Sequence, residues 1–93
     1  MLVIGGGGAS LRAAIAARLN NADVLLISKT KVGSNSNTYI SKAVIASTGW
    51  GPSDDDENAH KADTVTGGRF LNDQSMVSKV AERAHSEINF MKE

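Results

Sequence analysis

Four consecutive glycines, Gly5 to Gly8, stand between a short apolar run, Leu2-Val3-Ile4, and an alanine-rich stretch, Leu11-Arg12-Ala13-Ala14-Ile15-Ala16. The apolar run reads as a parallel strand covered on both faces, and the alanines read as a helix. Set against G-x-G-x-x-G/A, the match is Gly5, Gly7 and, in third place, Ser10. Gly5 permits a tight turn out of the strand, Gly7 lets a diphosphate reach bare backbone, and the third place needs a small residue between helix and strand. Ser10 is larger than glycine but is also a good N-cap, so the helical pattern is taken to start there. Unused amides and the positive end of the helix dipole would then favour an anion. The competing reading is a plain strand–helix turn that holds no ligand.

Leu11, Ala14, Ile15 and Leu19 share one helical face, and Asn20-Asn21 is a fitting stop because asparagine tolerates the left-handed cap. Val24-Leu25-Leu26-Ile27 follows as a second buried strand. Together these segments predict a β-α-β unit over residues 1–28, with a right-handed crossover. A dinucleotide unit of the NAD type places a carboxylate at the end of that second strand, where this chain has Ser28-Lys29. Lys29 reads either as a partner for the 2′-phosphate of NADP or as a solvated lysine.

Residues 29–38 form a polar loop beyond the strand's carboxyl end, the place where open α/β sheets bind ligands. From Tyr39 to Trp50 the pattern predicts a short helix, with Ile40, Ala43 and Val44 on it, closed by Gly49 and Gly51-Pro52. The acidic run Ser53 to Glu57 lacks the spacing of a calcium loop and reads as a solvated helix start, so no metal site is expected. A helix over Glu57 to Thr66 would end at Gly67-Gly68. Asp73 would cap a last helix whose apolar face carries Met76, Val77, Val80, Ala84, Ile88 and Met91. His60 and His85 read as packing or surface residues, because neither has a sequence neighbour that would orient it for proton transfer.

The chain has 93 residues, enough for one small domain that buries only about 60–65% of its unfolded surface. Ten basic and ten acidic residues give a formal net charge of zero, which offers no electrostatic handle for nucleic acid. There is no cysteine, so disulfides and thiolate chemistry are excluded, and a cytoplasmic setting is expected. The opening apolar run is too short to span a bilayer, and no membrane insertion is expected.

Taken in order, these stretches resemble the amino-terminal part of the flavoprotein subunit of the succinate dehydrogenase, fumarate reductase and L-aspartate oxidase family. The resemblance rests on Val3-Ile4-Gly5-Gly6-Gly7-Gly8-Ala9, Arg12-Ala13-Ala14, Leu26-Ile27-Ser28-Lys29 and Ser36-Asn37-Thr38. It continues through His60-x-x-Asp63-Thr64, Gly67-Gly68 and Leu71-Asn72-Asp73-Gln74, so it covers nearly the whole chain. It implies an α/β fold, an incomplete Rossmann-like FAD-binding fragment in which the β-α-β unit is followed by a helical remainder over 39–93. It also implies FAD as the cofactor. Gly5, Gly7, Gly8, Ala9 and Ser10 would lie at the diphosphate, Ser28, Lys29 and Thr30 on the adenosine side, and Ser36, Asn37 and Thr38 along the flavin.

Three departures from the family pattern carry consequences. Asn37 stands where respiratory members have the histidine that carries flavin covalently, so the resemblance implies non-covalent FAD. Ser10 stands in place of a glycine, and Ala46-Ser47-Thr48-Gly49 follows the family's Ala-x-Gly-Gly only loosely. Family members are also several times longer, and their dicarboxylate-binding groups come later in the sequence. No catalytic residue is therefore assigned. The reading is a fragment of an oxidoreductase acting on a C4 dicarboxylate or L-aspartate. Its alternatives are a free-standing FAD or NADP module, or a remnant without cofactor that self-associates through the exposed edges and apolar faces of two strands.

Overall fold

The computed structural model describes residues 1–42, 44–51, 53 and 55–92. Ala43 of the expected central helix, Pro52 of its expected stop and Asp54 of the acidic run lie outside the described residues. The chain forms two compact units, Met1–Val44 and Ile45–Glu93, where the sequence suggested a single one.

In the first unit, strand β1 (Leu2–Ile4) leads into helix α1 (Gly8–Leu19), and strand β2 (Leu25–Ile27) returns parallel to β1. The register pairs Leu2 with Leu25, Val3 with Leu26 and Ile4 with Ile27. The β-α-β unit is therefore present as expected. Helix α1 closes where the two asparagines predict: Asn20 is the C-cap, its side-chain amide donates to the Ala16 carbonyl at 2.8 Å, and Asn21 takes a left-handed φ of 60°.

The expectation of strands covered on both faces is not met. Side chains alternate across a sheet, and α1 packs against β1, whose middle residue Val3 is only 7% exposed. Leu26, its partner in register, is half-buried. Leu2, Ile4, Leu25 and Ile27 point the other way and are exposed. The helix face divides for the same reason: Leu11 and Ala14 are half-buried, while Ile15 and Leu19, beyond the reach of a two-stranded sheet, are exposed.

Helix α2 spans Asn37–Ile40, so among the described residues the helix expected over Tyr39 to Trp50 keeps Tyr39 and Ile40. Ser41 ends it in extended backbone, and its hydroxyl bonds back to the Thr38 carbonyl at 2.8 Å. Such local side-chain bonding competes with helix continuation, and the β-branched Val44 and Ile45 that follow add little helix propensity.

The second unit pairs helices α3 (Glu57–Gly67) and α4 (Gln74–Lys92). Asp56 caps α3 by accepting from the Ala59 amide at 2.7 Å. Asp73 caps α4 as expected, accepting from the Ser75 and Met76 amides at 2.9 and 3.1 Å. The seam consists of Val65 on α3 with Val77 and Ala81 on α4, Ala81 being only 3% exposed. Ala84 and Ile88 continue it half-buried, whereas Met76, Val80 and Met91 from the expected face are exposed. Among the described residues no helix is long and apolar enough to cross a membrane, and no cluster of His, Asp or Glu could hold a metal.

Candidate FAD site at the glycine turn

The turn after β1 begins as the last rung of the sheet, where the Gly5 amide donates to the Ile27 carbonyl at 2.8 Å. Gly5 then takes φ 133°, a conformation that L side chains resist. Gly7 is extended and forms the N-cap of α1 without any side-chain bond. Ser10 is thus inside the first turn and is not the cap that the sequence suggested. Its hydroxyl instead lies where a β-carbon on Gly5 would fall, which is a separate reason for glycine at that place. The Leu11 amide donates to Gly7 at 3.1 Å and closes the first helical bond. The amides of Gly8, Ala9 and Ser10 therefore stand ahead of the helix's own ladder.

The loop following β2 folds back onto this turn. The Gly33 amide donates to the Gly6 carbonyl at 2.9 Å, and Gly33 takes a left-handed φ of 80°. A β-carbon on Gly6 would lie 2.5 Å from Ser28 Oγ and 3.4 Å from Val32 Cα; one on Gly7 would lie 3.4 Å from Ser36 Cβ. The Gly8 amide donates to Thr38 Oγ1 at 3.0 Å, across a separation of 30 residues. Ser36 starts α2, its hydroxyl accepting from the Tyr39 amide at 3.2 Å.

Several of the residues singled out from sequence therefore meet. Gly5 and Ser10 touch, and Gly7, Gly8, Ser36 and Thr38 form one wall of the turn. Ser28 joins them through Gly6. Lys29, Thr30 and Asn37 are exposed, as is Ala9. Gly6, Val32 and Gly33 were not among the sequence candidates. Gly33, the lone glycine of a polar loop, was the available signal.

The missing β-carbons thus serve first to seat the returning loop, a use of glycine that the diphosphate argument did not include. The chemistry still suits an anion. The α1 terminus has no acidic residue in its first turn, the Ala9 and Ser10 amides precede the ladder, and the hydroxyls of Ser28 and Ser36 lie beside the turn. A hydroxyl that accepts from an amide keeps its own proton to donate. These groups fit a diphosphate. After β2 come the half-buried Ser28 and an exposed Lys29, with no carboxylate at the strand's end.

In the second unit the remaining family-like motif is a packed corner. Thr64 Oγ1 donates to the His60 carbonyl at 2.8 Å, and Asn72 donates to the Thr64 carbonyl at 2.9 Å. Gly68 leaves room for the Asn72 amide, and Arg69 and Phe70 follow with left-handed φ of 51° and 62°.

The family model described as FAD binding domain matches residues 1–93. A fumarate reductase flavoprotein subunit of Mycobacterium tuberculosis is 39% identical over 90 residues, covering 95% of this chain and 15% of the relative. The 8-methylmenaquinol:fumarate reductase flavoprotein subunit of Wolinella succinogenes is 38% identical over 90 residues, covering 96% of this chain and 15% of the relative. The chain thus spans about 15% of the length of the curated relatives it matches. No solved structure matches it.

Proposed function

This chain belongs to the FAD-binding-domain family, and we propose that it supplies the diphosphate and flavin-side walls of the FAD site in an FAD-dependent oxidoreductase of fumarate reductase type. The observation that carries the reading is the Gly7–Gly8 terminus of α1 walled by Ser36 and Thr38, within a chain matched end to end by the family model. The amides of Ala9 and Ser10 hold the diphosphate. Ser28, Lys29 and Thr30 face the adenosine side, and Ser36, Asn37 and Thr38 the flavin. Asn37 has no imidazole nitrogen, so the flavin is held non-covalently. When bound, FAD supplies the redox chemistry; the residues of this chain bind and orient it. No catalytic residue is assigned to this chain, and the C4 dicarboxylate or L-aspartate belongs to the full-length protein.

Amide shifts on titration with FAD test the assignment. The Gly8, Ala9 and Ser10 amides are expected to move in a saturable way, with weak affinity for the chain alone, and acid precipitation should release the flavin. NADP shifting the same amides at lower concentration would favour a free-standing NADP module. Unmoved glycine-turn amides would overturn the site.

A second reading is supported by the bare sheet face. Leu2, Ile4, Leu25 and Ile27 are exposed together on one side of the ladder. In the chain by itself this surface pairs with a second copy, which light scattering after size exclusion would detect as a concentration-dependent mass.

A further inference from the structure

We propose that Thr38 is a positioning residue that registers the flavin-side loop against the diphosphate turn, an inference that rests on the FAD reading above. Gly7 offers α1 no side-chain cap, so the first helical amide needs an acceptor from elsewhere. Thr38 Oγ1 provides it at 3.0 Å, in effect capping a helix that begins 30 residues upstream. The fit depends on glycine: a β-carbon on Gly8 would lie 3.0 Å from Thr38 Oγ1 and 3.1 Å from its Cγ2.

Thr38 is held from its own side as well. Ser36 fixes the start of α2 by accepting from the Tyr39 amide, and the Ser41 hydroxyl donates to the Thr38 carbonyl at 2.8 Å. Thr38 is therefore anchored twice, its hydroxyl on α1 and its backbone carbonyl on Ser41. The hydroxyl accepts from the Gly8 amide while the residue's backbone sits in α2, which makes Thr38 a tie between the two walls. Any displacement of the loop is carried to the terminus of α1, so the diphosphate and flavin ends of the cofactor are held in register.

Thr38→Val keeps the shape and removes the acceptor; Thr38→Ser keeps the acceptor and removes a methyl. In the full 93-residue chain, amide exchange at Gly8 should speed up about tenfold in Thr38→Val and stay near wild type in Thr38→Ser. Titrations with FAD and with ADP then separate positioning from direct contact with the diphosphate, and the Gly8 exchange separates it from direct contact with the flavin. ADP carries the diphosphate without the flavin, so Thr38→Val should weaken FAD about tenfold and ADP far less, with Thr38→Ser restoring FAD affinity. Equal weakening of FAD and ADP would make Thr38 a direct anion ligand and overturn the tie. Unchanged Gly8 exchange in Thr38→Val would overturn it too. Wild-type chain showing no saturable response to either ligand would overturn the FAD reading itself and this role with it, whatever Gly8 does.

Discussion

Nδ1 of His85 lies 3.0 Å from the carbonyl oxygen of Thr48, 37 residues earlier in the chain. A carbonyl can only accept, which assigns the proton to Nδ1. Nε2 is then the acceptor for the Asn89 side-chain amide, also at 3.0 Å. The ring stacks on Trp50 with centroids 4.5 Å apart, and Lys92 Nζ sits 4.4 Å from the centre of the indole. This histidine is a packing residue, as its sequence setting suggested, and its job is to fasten the segment before α3 to α4. Thr48 is only 7% exposed and its carbonyl also accepts from the Ser47 hydroxyl at 3.2 Å, so His85→Leu would remove one of two donors together with the ring contact on Trp50. A loss of about 1 kcal/mol is expected for the second unit, read as a lower urea midpoint at unchanged slope.

The glycines divide into those that structure requires and those it does not. Gly5→Ala would force a side chain into φ 133° and against the Ser10 hydroxyl, and the expected cost is about 2–3 kcal/mol. Gly67 is the last residue of α3, with open space where a β-carbon would fall and no left-handed φ. Gly67→Ala should instead stabilise by about 0.5–1 kcal/mol. Thermal unfolding of the two variants should therefore shift in opposite directions.

Helix capping gives a third expectation. Asp56 and Asp73 each accept from amides at the start of their helices. Replacing either by alanine should cost about 1 kcal/mol. The two caps serve different helices and share no hydrogen bond, so the double variant should lose about the sum, measured by urea unfolding.

What could be read from sequence was local. Gly5 to Gly8 announced a strand–turn–helix because strand, glycines and alanines are contiguous, and Asn20-Asn21 and Asp73 marked helix ends by chemistry acting within a turn. The Thr38 hydroxyl on Gly8 and the Thr48 carbonyl on His85 join positions 30 and 37 residues apart, and no spacing rule announces them. Ala81, the most buried of the core residues, escapes a reading by periodicity because alanine marks a helical face weakly. Reading α1 to start at Ser10 failed because the cap that Gly7 lacks arrives from the loop. The apolar strands were legible as strands, but a continuous apolar run says nothing about whether a second layer is present.

That last point yields the most direct test of the second functional reading. The register places Ile4 beside Ile27 and Leu2 beside Leu25 on the uncovered side of the ladder, with Ile4 74% and Leu25 62% exposed. Burying an aliphatic side chain of this size is worth about 1.5–3 kcal/mol, and a symmetric pair of chains counts each substitution twice. Ile4→Lys should therefore weaken self-association at least about tenfold while leaving unit 1 folded, because Val3, not Ile4, packs toward α1. Ile15→Lys, on the exposed side of α1, is the matched control and should leave the mass unchanged. If Ile4→Lys and Ile15→Lys both keep the wild-type concentration dependence, the sheet face is not the contact. If wild type is monomeric throughout, the self-association reading fails outright.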